Sequence, residues 1–239
     1  MKTLKRKKTK ANIKINALNL NRAAALSENM SFYEKWNRIS QMIQSEKIAI
    51  LIVQETHLDQ NMINQLQARY KKNLIIIASP NPTRPYVKAG VAFIINKRLI
   101  SMDAIKTHEI IPGKAHYAEI KWQKMCTVTI LNIYAPNDRS AHANFWAKII
   151  TERCTRHLPI PDFTLGDFNV TEDTIDRMPP KFDDEVVITA LRDVKHEWDV
   201  VDSEVGPMVL GHMDIVYIDR HHIYDRYIPM DSSIQCIVH

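Results

Sequence analysis

Short apolar runs that end in a polar or acidic residue recur along the chain. The clearest is Ile48-Ala-Ile-Leu-Ile-Val53, followed at once by Gln54-Glu55-Thr56-His57. It is short and rich in β-branched residues, which predicts a buried strand rather than a helix. Asp162 to Leu165 predicts another, delivering Gly166-Asp167-Phe168-Asn169. A first strand is expected around Ile13, Ile15, Ala17 and Leu18, ending near Asn19-Leu20-Asn21. Further strands are expected at Leu74 to Ile77, Gly90 to Ile95, His116 to Trp122, Cys126 to Ile133 and Met213 to Ile218. Helical signals lie between them. Ser31-Phe-Tyr-Glu34 is a capping-box pattern, and Trp36, Ile39, Met42 and Ile43 then share one helical face. Ala141 to Arg156 reads as a helix with Phe145, Ile149 and Ile150 facing inward, stopped before Pro159 and Pro161. A helix is also expected near Asp184 to Arg192. Pro80, Pro82 and Pro85 mark a loop, and another polar, proline-containing loop runs to Lys181.

Many consecutive strands with few helices favour an α/β fold of two packed sheets covered by helices over a simple doubly wound sheet. Neither an internal repeat nor a low-complexity linker interrupts the chain, so one domain is expected over residues 11–239, after a basic tail over residues 1–10.

Composition narrows the picture only in part. The 239 residues are 45% hydrophobic and 25% charged, ordinary for a globular protein. No apolar run is long enough to span a bilayer, and the N-terminus lacks the apolar core of a signal peptide. An intracellular location is expected, with no membrane partner. Three widely spaced cysteines, Cys126, Cys154 and Cys236, argue against a disulfide framework and a cysteine-rich zinc site. The formal net charge of +5 favours a polyanionic partner. Much of the excess lies in Lys2, Lys5, Arg6, Lys7, Lys8 and Lys10, which reads as a solvated tail, a nuclear address or a nonspecific phosphate-binding arm.

Chemistry concentrates where the strands end. Carboxylates and amides gathered at one sheet edge suit a hard divalent cation and a phosphate. Glu55 follows six apolar residues, so it is an exposed strand-end glutamate or a buried carboxylate with a partner, because a lone buried charge is costly. Asp167 and Asn169 are spaced i, i+2, which points both to one face if the segment is extended; the plainer alternative is an Asx turn. Gly166 lets the backbone approach something closely. Tyr134 and Asn137 flank Ala135-Pro136 and offer a phenol and an amide to a phosphate oxygen, or simply form a proline turn. Asp214 is either a structural ion-pair partner or a carboxylate that orients a histidine. His57 and His116 read as structural, and His221-His222 as a surface pair.

In order, Ala17-Leu-Asn19, Gln54-Glu55-Thr-His57, Asn132-Ile-Tyr-Ala-Pro-Asn137, Leu165-Gly-Asp167-Phe-Asn169 and Met213-Asp214 resemble the motifs of the endonuclease/exonuclease/phosphatase superfamily, the one containing exonuclease III. Within it, Gln-Glu-Thr-His-Leu, Asn-Ile-Tyr-Ala-Pro-Asn and Leu-Gly-Asp-Phe-Asn-Val look like the apurinic/apyrimidinic-type endonuclease domain of non-LTR retrotransposons. The resemblance covers most of residues 11–220. It implies a four-layer α/β sandwich of two mostly antiparallel sheets flanked by helices, with the site at one end. It implies that Asn19 and Glu55 serve an Mg2+ site, which Mn2+ could also fill, and that Tyr134, Asn137 and Asn21 contact phosphate or DNA. Asp167 would position or deprotonate the attacking water, Asn169 would stabilise the phosphate, and Asp214 would pair with a histidine. The implied reaction is nicking of DNA in the nucleus, by a monomer whose chain here carries no reverse transcriptase domain. Another phosphohydrolase activity of the superfamily is the lesser alternative.

Three departures stand out. Asn21 is followed by Arg22 where the family has Asn-x-Asn-Gly or Asn-x-Asp-Gly. Gly211-His-Met-Asp214 replaces Ser-Arg-(Ile/Leu)-Asp, after a short stretch from Trp198. The family's final Asp-His is missing from Asp231-Ser-Ser-Ile-Gln-Cys-Ile-Val-His239. The last departure implies an incomplete or divergent C-terminal end, and leaves a catalytically degenerate nucleic-acid-binding remnant as the alternative function.

Overall fold

The computed structural model describes residues 13–20, 31–86, 89–122, 126–170, 184–199, 201–202, 214–218, 223–225 and 234–238. The basic tail, Asn21, His221-His222 and the loop to Lys181 lie outside the described residues.

Among the described residues, twelve strands form two six-stranded sheets. The first contains β1 (Ile13–Asn19), β2 (Ile50–Gln54), β3 (Leu74–Ser79), β4 (Val91–Asn96), β10 (Asp214–Ile218) and β11 (Ile223–Asp225), in the order β11-β10-β1-β2-β4-β3. The second contains β5 (Ile105–Ile111), β6 (Ala115–Trp122), β7 (Cys126–Tyr134), β8 (Phe163–Asp167), β9 (Val201–Asp202) and β12 (Ile234–Val238), in the order β5-β6-β7-β8-β12-β9. Only β1–β2 and β7–β8 pair in parallel among the described ladders.

Helices α1 (Phe32–Ser45) and α2 (Gln60–Tyr70) cover the first sheet. Helices α3 (His142–Thr155) and α4 (Glu185–Trp198) cover the second. The alternation of each strand explains the layering. Ile13, Ile15 and Ala17 of β1, Ile50 and Ile52 of β2, Ile130 of β7, and Phe163 and Leu165 of β8 meet between the sheets. Leu51 and Val53 turn the other way, onto Trp36, Ile39 and Ile43 of α1. Leu131 and Ile133 turn outward onto Phe145, Trp146 and Ile149 of α3 and Leu191 of α4. The result is the expected four-layer α/β sandwich.

The capping box forms as expected. The Ser31 side chain accepts from the Glu34 N–H, and Glu34 accepts from the Ser31 N–H at 2.8 Å. Met42 and Ile150 pack only at the margin of the core. Five described elements carried no clear sequence signal: α2, β5, β9, β11 and β12. Helix α2 buries only Ile63, Leu66 and Tyr70 in a glutamine- and asparagine-rich segment, started by Asp59, whose side chain accepts from the Met62 N–H.

Candidate active site

The inter-sheet stripes that are apolar through most of their length all end in polar residues at the same edge. These are Asn19 on β1, Gln54 on β2, Asn132 and Tyr134 on β7, and Asp167 on β8. Two parallel pairings align them, since Asn19 stands opposite Gln54 and Tyr134 opposite Asp167.

The deeper tier joins the sheets. Gln54 Nε2 donates to Asn132 Oδ1 at 2.9 Å, and Asn132 Nδ2 donates to the carbonyls of Ala92 at 3.0 Å and Val53 at 3.3 Å. Both amides are fully buried. Pairing offsets part of the cost of burying these amides, and the Gln54–Asn132 bond ties the two sheets together beneath the site. His116 lies in the same interior, its ring against Phe93. Burial, with a lesser effect of His108, pushes its pKa down to about 4, so it is neutral at physiological pH. It is structural, as the sequence suggested.

The upper tier holds the chemistry. Asn19 Nδ2 donates to Glu55 Oε1 and to Asp167 Oδ2, both at 2.8 Å. Two acceptors force the NH2 group of the amide, and not its oxygen, toward the carboxylates. Asp167 is 1% exposed, and its second oxygen accepts the Asn169 N–H at 3.1 Å. Its buried charge is therefore held by donors on both sides. Glu55 is more open and turns its other oxygen toward His57, with Nε2 at 3.8 Å. Sequence reasoning had left His57 as structural, yet its half-exposed imidazole stands at this carboxylate.

Tyr134 stands beside both carboxylates. Burial first, then the charges of Glu55 and Asp167, push its pKa up to about 12. Its hydroxyl is in hydrogen-bonding reach of Glu55 and of exposed Asn137. The phenol is thus kept protonated, as a donor. The segment Ala135-Pro136 is clamped from two sides: Asn169 Nδ2 donates to the Ala135 carbonyl at 2.7 Å, and the buried His142 ring nitrogen lies 2.6 Å from the Pro136 carbonyl. Sequence reasoning missed His142, whose only local signal is its place at the start of α3.

The extended-strand reading of Asp167 and Asn169 is corrected here. Strand β8 stops at Asp167, and Asn169 has φ +52°, so the pair forms the Asx turn that was the plainer alternative. Glu55 and His57 also adopt positive φ, +50° and +49°. Such backbone costs on the order of 1–3 kcal/mol and persists only where neighbours hold it. The neighbours are Gly90 and Ala89, whose carbonyls accept the N–H groups of Thr56 and His57 at 3.1 and 3.3 Å. Gly90 is tied in turn to the Gly113 carbonyl at 2.9 Å, and Gly113 N–H to Ser79 Oγ at 2.7 Å.

Lys35, also missed in the sequence, reaches this edge from the first turn of α1 and donates from Nζ to the carbonyl of Leu20, the residue after Asn19. Burial lowers its pKa, and the negative charge of Glu55 opposes that shift. Asp214 opens β10 opposite Ala17, two residues below Asn19 in the register. Strand β12 enters the second sheet with Ile234 opposite Asp167.

The site therefore brings together Asn19, Glu55, Tyr134, Asn137, Asp167 and Asn169. Among the described residues there is no group of three or more His, Cys, Asp or Glu side chains arranged to hold a metal ion. The oxygen donors gathered at this edge are the Glu55 and Asp167 carboxylates, a set that fits a hard cation that keeps most of its waters.

Neither the models of known protein families nor the curated proteins give a match to this sequence. Solved structures do. The endonuclease domain of TRAS1, a telomere-specific non-LTR retrotransposon, matches with TM-score 0.57 and 13% identity over 95% of this chain and 84% of that one. An endonuclease/exonuclease/phosphatase from Bacteroides vulgatus matches with TM-score 0.60 and 16% identity over 96% and 87%. The 3′ phosphatase NExo from Neisseria, bound to product DNA hairpin, matches with TM-score 0.60 and 16% identity over 95% and 86%. The chain has the exonuclease III-like fold of these proteins. Among the described residues, no helix is long and apolar enough to cross a membrane.

Proposed function

We propose that the protein is a metal-dependent endonuclease that nicks DNA by hydrolysing a phosphodiester bond, and that it derives from a retrotransposon and works in the nucleus. The carboxylate pair Glu55 and Asp167, bridged by one buried amide at the ends of three strands, carries this reading. Such a pair suits Mg2+ or Mn2+, which would be held by Glu55 with retained waters and by the Asn19 oxygen once that amide turns over to face the cation, and the cation would supply charge stabilisation at the phosphate.

The chain's own residues divide the remaining work. Asp167 orients the attacking water and accepts its proton. Tyr134, protonated because its pKa is raised to about 12, donates to a phosphate oxygen. Asn137, exposed at the rim, offers a second donor. Asn169 keeps the Ala135-Pro136 turn in place, so that Tyr134 and Asn137 stay aimed together. Donors positioned before reaction gain strength where water is excluded. The attacking oxygen bonds to phosphorus, the ester bond breaks, and the leaving oxygen takes a proton from solvent water to become a 3′ hydroxyl.

A second reading is a nucleic-acid-binding remnant without turnover. It is favoured by the sequence before β12, which reads Asp231-Ser-Ser with no histidine. Losing a charged donor at the phosphate costs orders of magnitude in rate.

Supercoiled-plasmid nicking decides between them. Nicking in Mg2+ that is lost in EDTA and in Glu55→Ala plus Asp167→Ala is the expected result. Folded protein that nicks no faster than the double variant would leave the remnant. Phosphate release from nucleotides or phospholipids without nicking would instead indicate another phosphohydrolase.

A further inference from the structure

The end of the first sheet opposite the carboxylate edge carries a second concentration of charge. Three turns meet there: the exit of α1 at Glu46-Lys47, the exit of α2 at Lys71-Lys72-Asn73, and the turn after β4 at Lys97-Arg98. Lys47, Lys71, Lys72, Lys97 and Arg98 are all exposed. The single carboxylate in the three turns, Glu46, is occupied by Lys14 at 3.3 Å.

These turns are knitted into one surface. Asn96 is the hub: its N–H donates to the Ala49 carbonyl at 3.0 Å, and its side-chain amide to the Ile48 carbonyl at 3.1 Å. Its side-chain oxygen accepts the Arg98 N–H at 3.1 Å, and its carbonyl accepts from Leu99 and Ile100. The third turn joins through Lys97, whose N–H donates to the Asn73 carbonyl at 2.9 Å and whose Nζ donates to the Lys71 carbonyl at 2.6 Å. Five cations are thereby held together on fixed backbone despite their mutual repulsion. Charges borne on backbone that is already ordered lose less entropy when a partner arrives.

We propose that this platform binds the phosphate backbone of a nucleic acid strand, as a contact separate from the carboxylate site. Strand β2 separates the two: from Ile50 to Glu55 is roughly 17 Å of strand at ~3.3 Å per residue. A strand held here is therefore gripped away from any phosphate at Glu55. Charge complementarity selects the partner, because closely spaced lysines on a surface match a line of phosphates without reading bases. A membrane fits less well. The exposed apolar neighbours are Leu99 and Met102, 52% and 59% exposed, and no tryptophan or tyrosine stands in the three turns to anchor at a lipid interface.

The test is fluorescence anisotropy of the full chain with a labelled DNA duplex and, separately, a single-stranded RNA, over a salt series in EDTA. EDTA removes turnover, so a failed nuclease reading and a failed platform are seen separately. Lys71→Gln plus Lys72→Gln is expected to weaken binding to at least one of the two about tenfold at low salt. It should also make the slope of log affinity against log salt about 1.8 shallower on duplex, at ~0.9 per lost phosphate contact. A second variant, Lys47→Gln plus Arg98→Gln, should act alike. Lys121→Gln plus Lys148→Gln removes equal charge from exposed positions on β6 and α3 and should leave the slope unchanged. Unchanged slopes in both platform variants, an equal loss in the control, or binding to phosphatidylserine vesicles but to neither nucleic acid would overturn the proposal.

Discussion

Replacing Gly166 by alanine should cost more stability than any other single-methyl change among the described residues. Gly166 sits in β8 one residue before Asp167, with φ +143°, and faces Ile133 in the parallel ladder. A Cβ there would lie 2.0 Å from the Ile133 carbonyl oxygen and 2.9 Å from its carbon. Both are backbone atoms of a central strand, so no side chain can swing aside. The conformation alone costs ~1–3 kcal/mol for a residue with a Cβ, and forcing the strands apart adds ~1–3 kcal/mol as overpacking does elsewhere. A loss of ~2–6 kcal/mol follows, a large share of the ~5–15 kcal/mol that holds a domain together. Gly90 is the internal comparison. Its added Cβ would also be crowded, at 2.4 Å, but against Thr56 Oγ1, a side chain that can rotate. Urea unfolding followed by circular dichroism should therefore rank wild type above Gly90→Ala and Gly90→Ala above Gly166→Ala. If Gly166→Ala unfolds within ~0.5 kcal/mol of wild type, the close approach of β7 and β8, and the alignment of Tyr134 with Asp167 that rests on it, are refuted.

Two further outcomes are expected. His116 has its pKa lowered to about 4 from 6.5. The unfolded chain thus binds the extra proton first, and stability is full above pH 6.5 and falls as pH drops toward 4, by up to ~3 kcal/mol at 1.36 kcal/mol per unit. Urea midpoints measured across that window should flatten in His116→Asn. Gln54→Met should cost ~1–3 kcal/mol by stranding the buried Asn132 amide, and Asn132→Leu a similar amount, whereas the double variant should cost clearly less than their sum. Strict additivity in a double-mutant cycle would remove the inter-sheet bond from the account.

What was legible in the sequence follows from what each residue does locally. Strand β2 announces itself because Ile48 to Val53 is apolar on both faces, and both faces are in fact covered. The helix after Ser31 announces itself because its cap is built from residues three apart. Strand β5 gave no such sign, since Lys106, Thr107, His108 and Glu109 interrupt it at a sheet edge where few positions are buried. The positions of Glu55 and Asp167 at strand ends could be read, but their connection could not. It depends on an amide 36 residues from one and 148 from the other. The Asx turn at Asn169 was open in the sequence because i, i+2 spacing fits an extended pair and a turn equally well. The positive φ of Asn169 and its N–H bond to the Asp167 carboxylate decide between them.

The position of β12 bears on the order in which the protein can be made. Strand β12 lies between β8 and β9, so β9 is joined to the second sheet through a strand that follows it in sequence by more than thirty residues. During synthesis β7 and β8 can pair early, but the far side of β8, where Asp167 stands, keeps its hydrogen-bonding groups uncovered until residues 234–238 emerge from the ribosome. An uncovered strand edge is a template for pairing with another chain. Messages that stall or are truncated before Ile234 should therefore yield nascent chains dependent on chaperones, and stop codons just ahead of Ile234 should be about as damaging as much earlier ones.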